Sequence, residues 1–481
     1  MPSALRLVSL LLATAFMGVL GHAGGLHAAP AAAKPNVLLM MSDDLAATLG
    51  CYGHPVAKTP NLDALAKRGV QFDQAYCQFP HCNPSRASMM SGLRPNTTRV
   101  TDNGDNLYKN IPGVLTLPHH FRQQGYATAR YGKIFHLGVP TGEESMDDPQ
   151  AWDFGLPFRD ERPYPPTRVS DVKVKAGKKQ GLPWQETTGP DSNMVDGEFA
   201  EKAVGWLEKR DSTKPFFLAV GFHRPHLPLV APAKYFDLYP FDSITLPESP
   251  ADDEADIPEP ARNGAVPGYT LTSTPEQRRA AIRAYLACVS YMDAQAGVVL
   301  EALKRLGLEE NTIVVFSGDH GWHLGEHGLW HKRSLFEESA RVPFIIAAPG
   351  TKGVGKRSTS LVELLDVYPT LCDLAGLPAP DVLQGKSLRS VLEDPGVSIH
   401  DAAFTQARRG KNAEYWGRTV RTKRWRCTEW DEGRNGIELY DHDADPHEYK
   451  NLAEDPQHAA VLKELRGLLA EKLPPIEVAK K

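Results

Sequence analysis

"NVLLMMSDD", residues 36–44, is an apolar run that ends abruptly in Ser42 and two adjacent acids, Asp43 and Asp44. A short continuous apolar run of this kind reads as a strand buried on both faces, the type from which parallel sheets are built. Four more runs match it: "YATARYG" (126–132), "FFLAVGF" (216–222), "TIVVFS" (312–317) and "VPFIIAAPG" (342–350). Between them, "NLDALAKRG" (61–69), "GEFAEKAVGWLEKR" (197–210) and the stretch 275–307 carry apolar residues at helical spacing. Strands alternating with helices predict an α/β fold, helices packed on a mostly parallel sheet. The stretches 137–190 and 241–275, rich in Pro, Gly and charge, are expected as long loops. After the helix expected over 364–377 the pattern shifts to short strand-like pieces, "GRTVRTKRWRCTEW" (417–430) and "IELYDH" (437–442). The helical stretch "QHAAVLKELRGLLAEKL" closes the chain. We therefore expect a catalytic domain over 30–385 and a smaller α+β subdomain over 386–481.

Near its start the chain carries Arg6, an apolar run from Leu7 to about Leu20, and small residues around Ala23–Ala33, the pattern of a secretory signal. Residues 1–29 are expected to be that signal, with no transmembrane segment after it and an exported, periplasmic or extracellular product (lysosomal in a eukaryotic cell). The 481 residues carry a net charge of −5, with 41% hydrophobic and 23% charged residues, so no basic excess points to nucleic acid. Six scattered cysteines, Cys51, Cys77, Cys82, Cys288, Cys372 and Cys427, form neither a zinc pattern nor a disulfide framework. One or two disulfides stay open, for instance Cys51–Cys77.

In open α/β sheets ligands bind beyond the carboxyl ends of the strands. Those ends here carry Asp43 and Asp44, then Asp319 and His320, then Lys133 and His136, then His223, Arg224 and His226. "GWHLGEHGLWHK" adds His323, His327, His331 and Lys332. Taken alone, Asp43–Asp44 would read as a helix N-cap. A second acidic strand end changes that, because converging carboxylates repel unless a cation neutralises them. An oxygen-rich set favours Ca²⁺ or Mg²⁺. Lys and His ringing such an ion suit a tetrahedral anion, sulfate or phosphate. In "HCNPSRASMMSGLRP" (81–95), Pro84 fits the first turn of a helix that stops at Gly92, which places Cys82 at the positive end of the helix dipole.

"CNPSRASMMSGLRPNTTR" resembles the signature of the type I sulfatases, whose motif cysteine is converted to formylglycine (3-oxoalanine). "GKIFH", "GFHRPH", "SGDHGWHLGEHGLWHK" and "ELYDHDADPHEYKNLA" follow in the family's order and are most similar to the iduronate-2-sulfatase branch. His320 stands where many arylsulfatases have asparagine, and Asn83 where a small residue is frequent. The resemblance implies an alkaline-phosphatase-like fold and a formylglycine-generating enzyme as maturation partner. It further implies Ca²⁺ held by Asp43, Asp44, Asp319, His320 and the formylglycine from Cys82. The hydrated aldehyde, acidified by the metal and Arg86, attacks sulfur. Lys133 and Lys332 hold sulfate oxygens, His226 protonates the leaving alcohol, and His136 takes the proton that releases sulfate. The implied substrate is a sulfated carbohydrate ending in a 2-O-sulfated uronic acid. The alternatives are another sulfated polysaccharide, a phosphomonoester or phosphonate, and a glycan-binding protein with a dead site. Arg99, Trp322 and His323, with Arg424 or Arg426, are the residues read as substrate contacts at the rim.

Overall fold

The apolar runs do form strands of one sheet, and their alternating side chains cover both of its faces. Along β1 (Asn36–Asp43), Leu38 and Met40 enter one apolar core while Val37, Leu39 and Met41 enter the other. The remaining strands are β2 (Val70–Tyr76), β3 (Ala127–Gly132), β4 (Phe154–Pro157), β5 (Phe216–Pro225), β6 (Thr312–Gly318), β7 (Arg341–Ala347) and β8 (Lys356–Glu363). Their order across the sheet is β8-β2-β7-β6-β1-β5-β3-β4. β1 pairs in parallel with β5 and β6, and β3 with β5 and β4; β7 runs antiparallel to both neighbours. The sheet is thus mostly parallel, as expected, and mixed at β7. The computed structural model describes residues 34–136, 147–148, 150–157, 165–170, 174–175, 178–180, 182–262, 269–270, 274–410 and 413–476. The segment read as a signal lies outside them.

Helices α1 (Pro60–Arg68), α3 (Val195–Lys209) and α4 (Pro275–Arg305) cover one face. On the other lie α2 (Cys82–Ser91) and α5 (Val367–Leu374). By length and composition α4 is apolar enough to cross a bilayer, contrary to the sequence expectation, but 83% of its most apolar window is buried. Its apolar residues are spent on the sheet and on α1 and α3.

Three expectations are corrected. β2 and β8 join the sheet although no apolar run announced them, because β2 tolerates half-buried Asp73 and Gln74 and β8 exposes Lys356, Arg357 and Thr359. The supposed loop 137–190 contributes β4 and four further short strands: Pro166–Val169 pairs with Trp184–Thr187, and Val174–Lys175 with Lys178–Gln180. Cys51 and Cys77 are both free thiols. The first lies in a turn after β1, its N–H donating to Asp63; the second lies at the end of β2 against the Ser339 carbonyl.

The C-terminal segment forms a four-stranded antiparallel sheet in sequence order, β9 (Ala402–Arg409), β10 (Tyr415–Thr422), β11 (Trp425–Trp430) and β12 (Ile437–Asp441). Helix α6 (Ala459–Lys472) packs Leu465 and Leu469 against Val420, Cys427 and Leu439. Pro35–Lys481 forms one compact unit.

Candidate active site

Parallel pairing brings the carboxyl ends of β1, β3, β5 and β6 to one edge of the sheet, and their terminal residues meet there. Asp43, Asp44, Asp319 and His320 are all at most 1% exposed. The Tyr285 hydroxyl, on α4, donates to the Asp44 carbonyl at 2.8 Å and accepts from Ala46 N–H at 3.0 Å, pinning the chain where β1 ends. β5 is held similarly: the Asp196 carboxylate accepts the N–H groups of His223 and Arg224 at 2.7 and 2.9 Å. At the end of β3, Gly132 (φ 88°) adopts the left-handed region, where a Cβ would lie 2.0 Å from the Gly221 carbonyl oxygen. Only glycine lets the two strands come close enough to aim Lys133 inward.

Cys82 is the first residue of α2, and Gly92, in the left-handed conformation at φ 68°, stops the helix. All ten residues of α2 are buried. The side-chain amide of Asn83 donates to the carbonyls of Asp102 (3.0 Å) and Asp105 (2.7 Å), tying the first turn of the helix to the 102–105 loop. Asn83 therefore fills a packing role that a small residue could not. The Ser85 hydroxyl donates to the Asp319 carbonyl, which joins the helix to the end of β6.

The Cys82 sulfur lies 3.1 Å from Lys332 Nζ and 3.4 Å from His320 Nε2. Lys332 Nζ is also 2.5 Å from Asp44 Oδ1, and Lys133 Nζ contacts Asp43 Oδ2. Arg86, completely buried, donates from Nε to Asp319 Oδ2 (2.8 Å) and approaches Asp43 Oδ1 at 3.4 Å, with a further donor on the Ile134 carbonyl at 2.9 Å. His226 Nε2 is 3.8 Å from Asp44 Oδ2, and the His223 ring stands 4.7 Å from that of His226. His136 lies half-buried at the end of the "GKIFH" segment.

These contacts set the protonation states. Burial and Asp43 push the Cys82 thiol up, but Lys133 and Lys332 outweigh them and hold it below its ordinary value. Burial opposes the charge on His320, yet Asp319 more than compensates, and the imidazole is held at about 9. Burial holds His136 down to about 3, with Lys133 adding to it, and His226 down to about 4 against the pull of Asp44 and Asp43. Asp43 is held well below the carboxylate range: burial raises it, and Lys133, His226 and Arg86 overcome that.

Asp43, Cys82, Asp319 and His320 each present an atom within 4.8 Å of one another, and Asp43, Asp44, Cys82 and His226 form an overlapping set. Two features suit a cation here. Asp44 Oδ2 is buried and accepts no hydrogen bond. His320 Nδ1 is 3.0 Å from the Gly321 carbonyl, so with the proton on Nδ1 its Nε2 lone pair faces the carboxylates.

The residues read as rim contacts fall elsewhere. Trp322 is 1% exposed, stacked on Tyr285 and edge-on to His331; it packs beneath Lys332 rather than meeting solvent. His323 is fully buried, with Nε2 on the Ser334 hydroxyl at 2.6 Å. Arg424 is engaged by Asp441 at 2.8 and 2.6 Å, and Arg426 is buried between Glu448 and Glu337. Arg99 is exposed, in the left-handed region at φ 56° after the short helix Pro95–Thr98. Sequence reasoning missed Tyr285, Asp196 and Ser85, whose partners stand up to 241 residues away with no local signal.

Comparison with known proteins agrees with this geometry. The profile of the Sulfatase family matches residues 35–377, and that of the N-sulphoglucosamine sulphohydrolase C-terminal region matches 325–473. The chain is 33% identical to the iduronate 2-sulfatase of Mus musculus, covering 90% of this chain and 93% of that protein. It is 35% identical to the choline-sulfatase of Rhizobium meliloti, covering 88% and 83%. A solved 2-O GAG sulfatase superposes with a TM-score of 0.71 at 29% identity, covering 91% of each chain, so the expected fold is the one observed. The chain belongs to the sulfatase family and is a sulfuric ester hydrolase.

Proposed function

We propose that the protein is an exported, calcium-dependent sulfatase that uses formylglycine derived from Cys82 and removes sulfate from 2-O-sulfated uronic acid ends of a sulfated polysaccharide. One observation carries the chemistry. A cysteine at a helix N-terminus lies within 3.4 Å of a lysine and an imidazole, over three buried carboxylates. A merely structural thiol has no use for that surround. The substrate rests on similarity to an iduronate 2-sulfatase and to a 2-O GAG sulfatase, and the similarity to a choline-sulfatase makes it the part most in need of test.

When bound, calcium supplies Lewis acidity at the sulfate, and the hydrated aldehyde supplies the nucleophilic oxygen that a thiol or serine cannot later release. Asp43, Asp44, Asp319 and His320 would hold the ion. Arg86 keeps Asp43 and Asp319 converged. With the ion taking over charge balance, Lys133 and Lys332 are available to sulfate oxygens. His226 donates the proton to the departing sugar oxygen; an anion docked against it raises its proton affinity above the present value of about 4. His136, held neutral by burial, accepts a proton during sulfate release. Arg99, exposed after the short helix Pro95–Thr98, is the candidate for the uronate carboxylate.

The test pairs mass spectrometry of the peptide around Cys82 with kinetics on defined substrates. The protein is made beside a formylglycine-generating enzyme. We expect the aldehyde at Cys82, and kcat/KM higher for 2-O-sulfated uronic acid ends than for neutral 6-O-sulfated hexosamines or aryl phosphates. Arg99→Ala is expected to erode that preference. An active enzyme with only thiol at Cys82 would refute the mechanism, a preference for phosphate the chemistry, and faster turnover of a neutral sugar the substrate.

A further inference from the structure

A second group of ligating side chains shares no residue with the Cys82 pocket. His327 lies in the turn Glu326–Gly328, in the left-handed region at φ 53°. Its ring is fixed on three sides. It stacks on Phe336 at 4.1 Å, meets Tyr449 edge-on at 5.7 Å, and places Nδ1 3.2 Å from Asp253 Oδ1. The other nitrogen, Nε2, is buried and makes no hydrogen bond, in a side chain 1% exposed. His327, Glu338 and Glu448 each present one ligating atom, the three within 4.8 Å of one another. Glu338 Oε2 is likewise buried and without a hydrogen bond. Glu448 is held in place by Glu337 N–H at 2.9 Å, by His442 Nε2 at 2.9 Å and by Arg426.

An imidazole whose Nδ1–H is given to a carboxylate keeps its Nε2 lone pair free for a metal, and here two further carboxylates stand within ligating reach of the ring. Leaving a buried nitrogen and a buried carboxylate oxygen unpartnered is costly, and a shared cation removes both costs at once. We propose that His327, Glu338 and Glu448 bind a divalent cation of the zinc type. One nitrogen and two oxygens form a borderline set with room for a water as fourth ligand, whereas calcium asks for six or more oxygens. The ion would join three segments, the 326–328 turn, the start of the short helix Glu337–Ala340 and the loop after β12. Lys332 lies five residues beyond His327, so the site anchors the segment that carries a lysine of the active pocket.

The full-length protein, saturated with Ca²⁺ and stripped of transition metals, is dialysed against micromolar ZnCl2 and analysed for metal, with thermal melting in parallel. The chain has 17 histidines, so the comparison with variants decides. We expect one Zn²⁺ per chain and a raised Tm in the wild type. His327→Gln and Glu338→Gln are each expected to weaken binding at least about tenfold and to remove the rise in Tm. Glu338→Gln is isosteric and suffices if the His327 variant does not fold. No binding by the wild type at micromolar Zn²⁺, or equal binding by wild type and Glu338→Gln, overturns the proposal.

Discussion

Among the sealed arginines of the described residues, two lie between a pair of carboxylates each: Arg86 between Asp43 and Asp319, and Arg426 between Glu337 and Glu448. The acids around Arg426 are largely answered from within the fold, Glu448 alone standing also beside His327 and Glu338. Glu337 Oε1 also takes Arg421 Nε at 2.9 Å and the Tyr76 hydroxyl at 2.8 Å, and Glu448 takes His442 and a backbone N–H. This cluster fastens β10 and β11 to the segment before β7. The acids around Arg86 are answered by Lys133 and joined by Asp44, Lys332, His320 and a thiol, and one Asp44 oxygen is left over. Buried ionised groups therefore do not by themselves mark a site. What marks one is unspent hydrogen-bonding and ligating capacity at the carboxyl ends of parallel strands.

The comparison breaks most sharply at Cys82. Cys82→Ser is expected to lower kcat/KM by about a thousandfold or more while Tm stays within a few degrees. Loss of thermal stability on the same scale as activity would mean that Cys82 is structural. Next, chelation with EGTA is expected to reduce turnover about a hundredfold or more, with Ca²⁺ restoring it; recovery with no added metal would remove the cation from the mechanism.

The two arginines then part company. Arg86→Gln takes the guanidinium from Asp319 and leaves Asp43 to Lys133, and we expect a loss of stability of about 3–5 kcal/mol together with a loss of turnover about a hundredfold. Arg426→Gln is expected to cost a similar stability, yet the folded fraction, assayed at low temperature, should turn over within about twofold of wild type. Equal kinetic losses would erase the distinction drawn between the clusters.

The smallest effect concerns a buried acid held by backbone and amide N–H groups. Asp293 accepts the N–H groups of Asn61 and Leu62, but burial wins and lifts it to about 6. A carboxyl raised in the folded state binds more protons there than when unfolded, so its contribution to stability falls as pH rises from about 4 through about 6. Relative to Asp293→Asn, the wild type is expected to lose up to about 3 kcal/mol across that window, read by urea denaturation at pH 4, 5 and 7. A flat difference would show the carboxyl to be ordinary.

Much of the site was legible along the chain because it is built from strand ends. An apolar run that stops at ionisable residues, as at Asp43–Asp44, Asp319–His320 and "GKIFH", declares both a strand and what its end presents. "CNPSR" likewise declares a helix start beneath a cysteine, and α2 begins at Cys82. The rim was misread because aromatic and basic residues look alike whether they meet solvent or are sealed: Trp322 lies under Tyr285, His323 on Ser334 and Arg426 within an acid pair.

The sequence by itself determined where apolar runs begin and end, hence which elements form and which ionisable groups sit at their tips, since these follow from local composition and spacing. Only the tertiary structure decided that β7 runs antiparallel, that β2 and β8 complete the sheet, and that Glu448 lies beside Glu337 across 111 residues. Strand direction and charge pairing depend on which surfaces meet when the core closes. An apolar residue contributes the same transfer free energy whichever way its strand points, so composition carries no record of that choice.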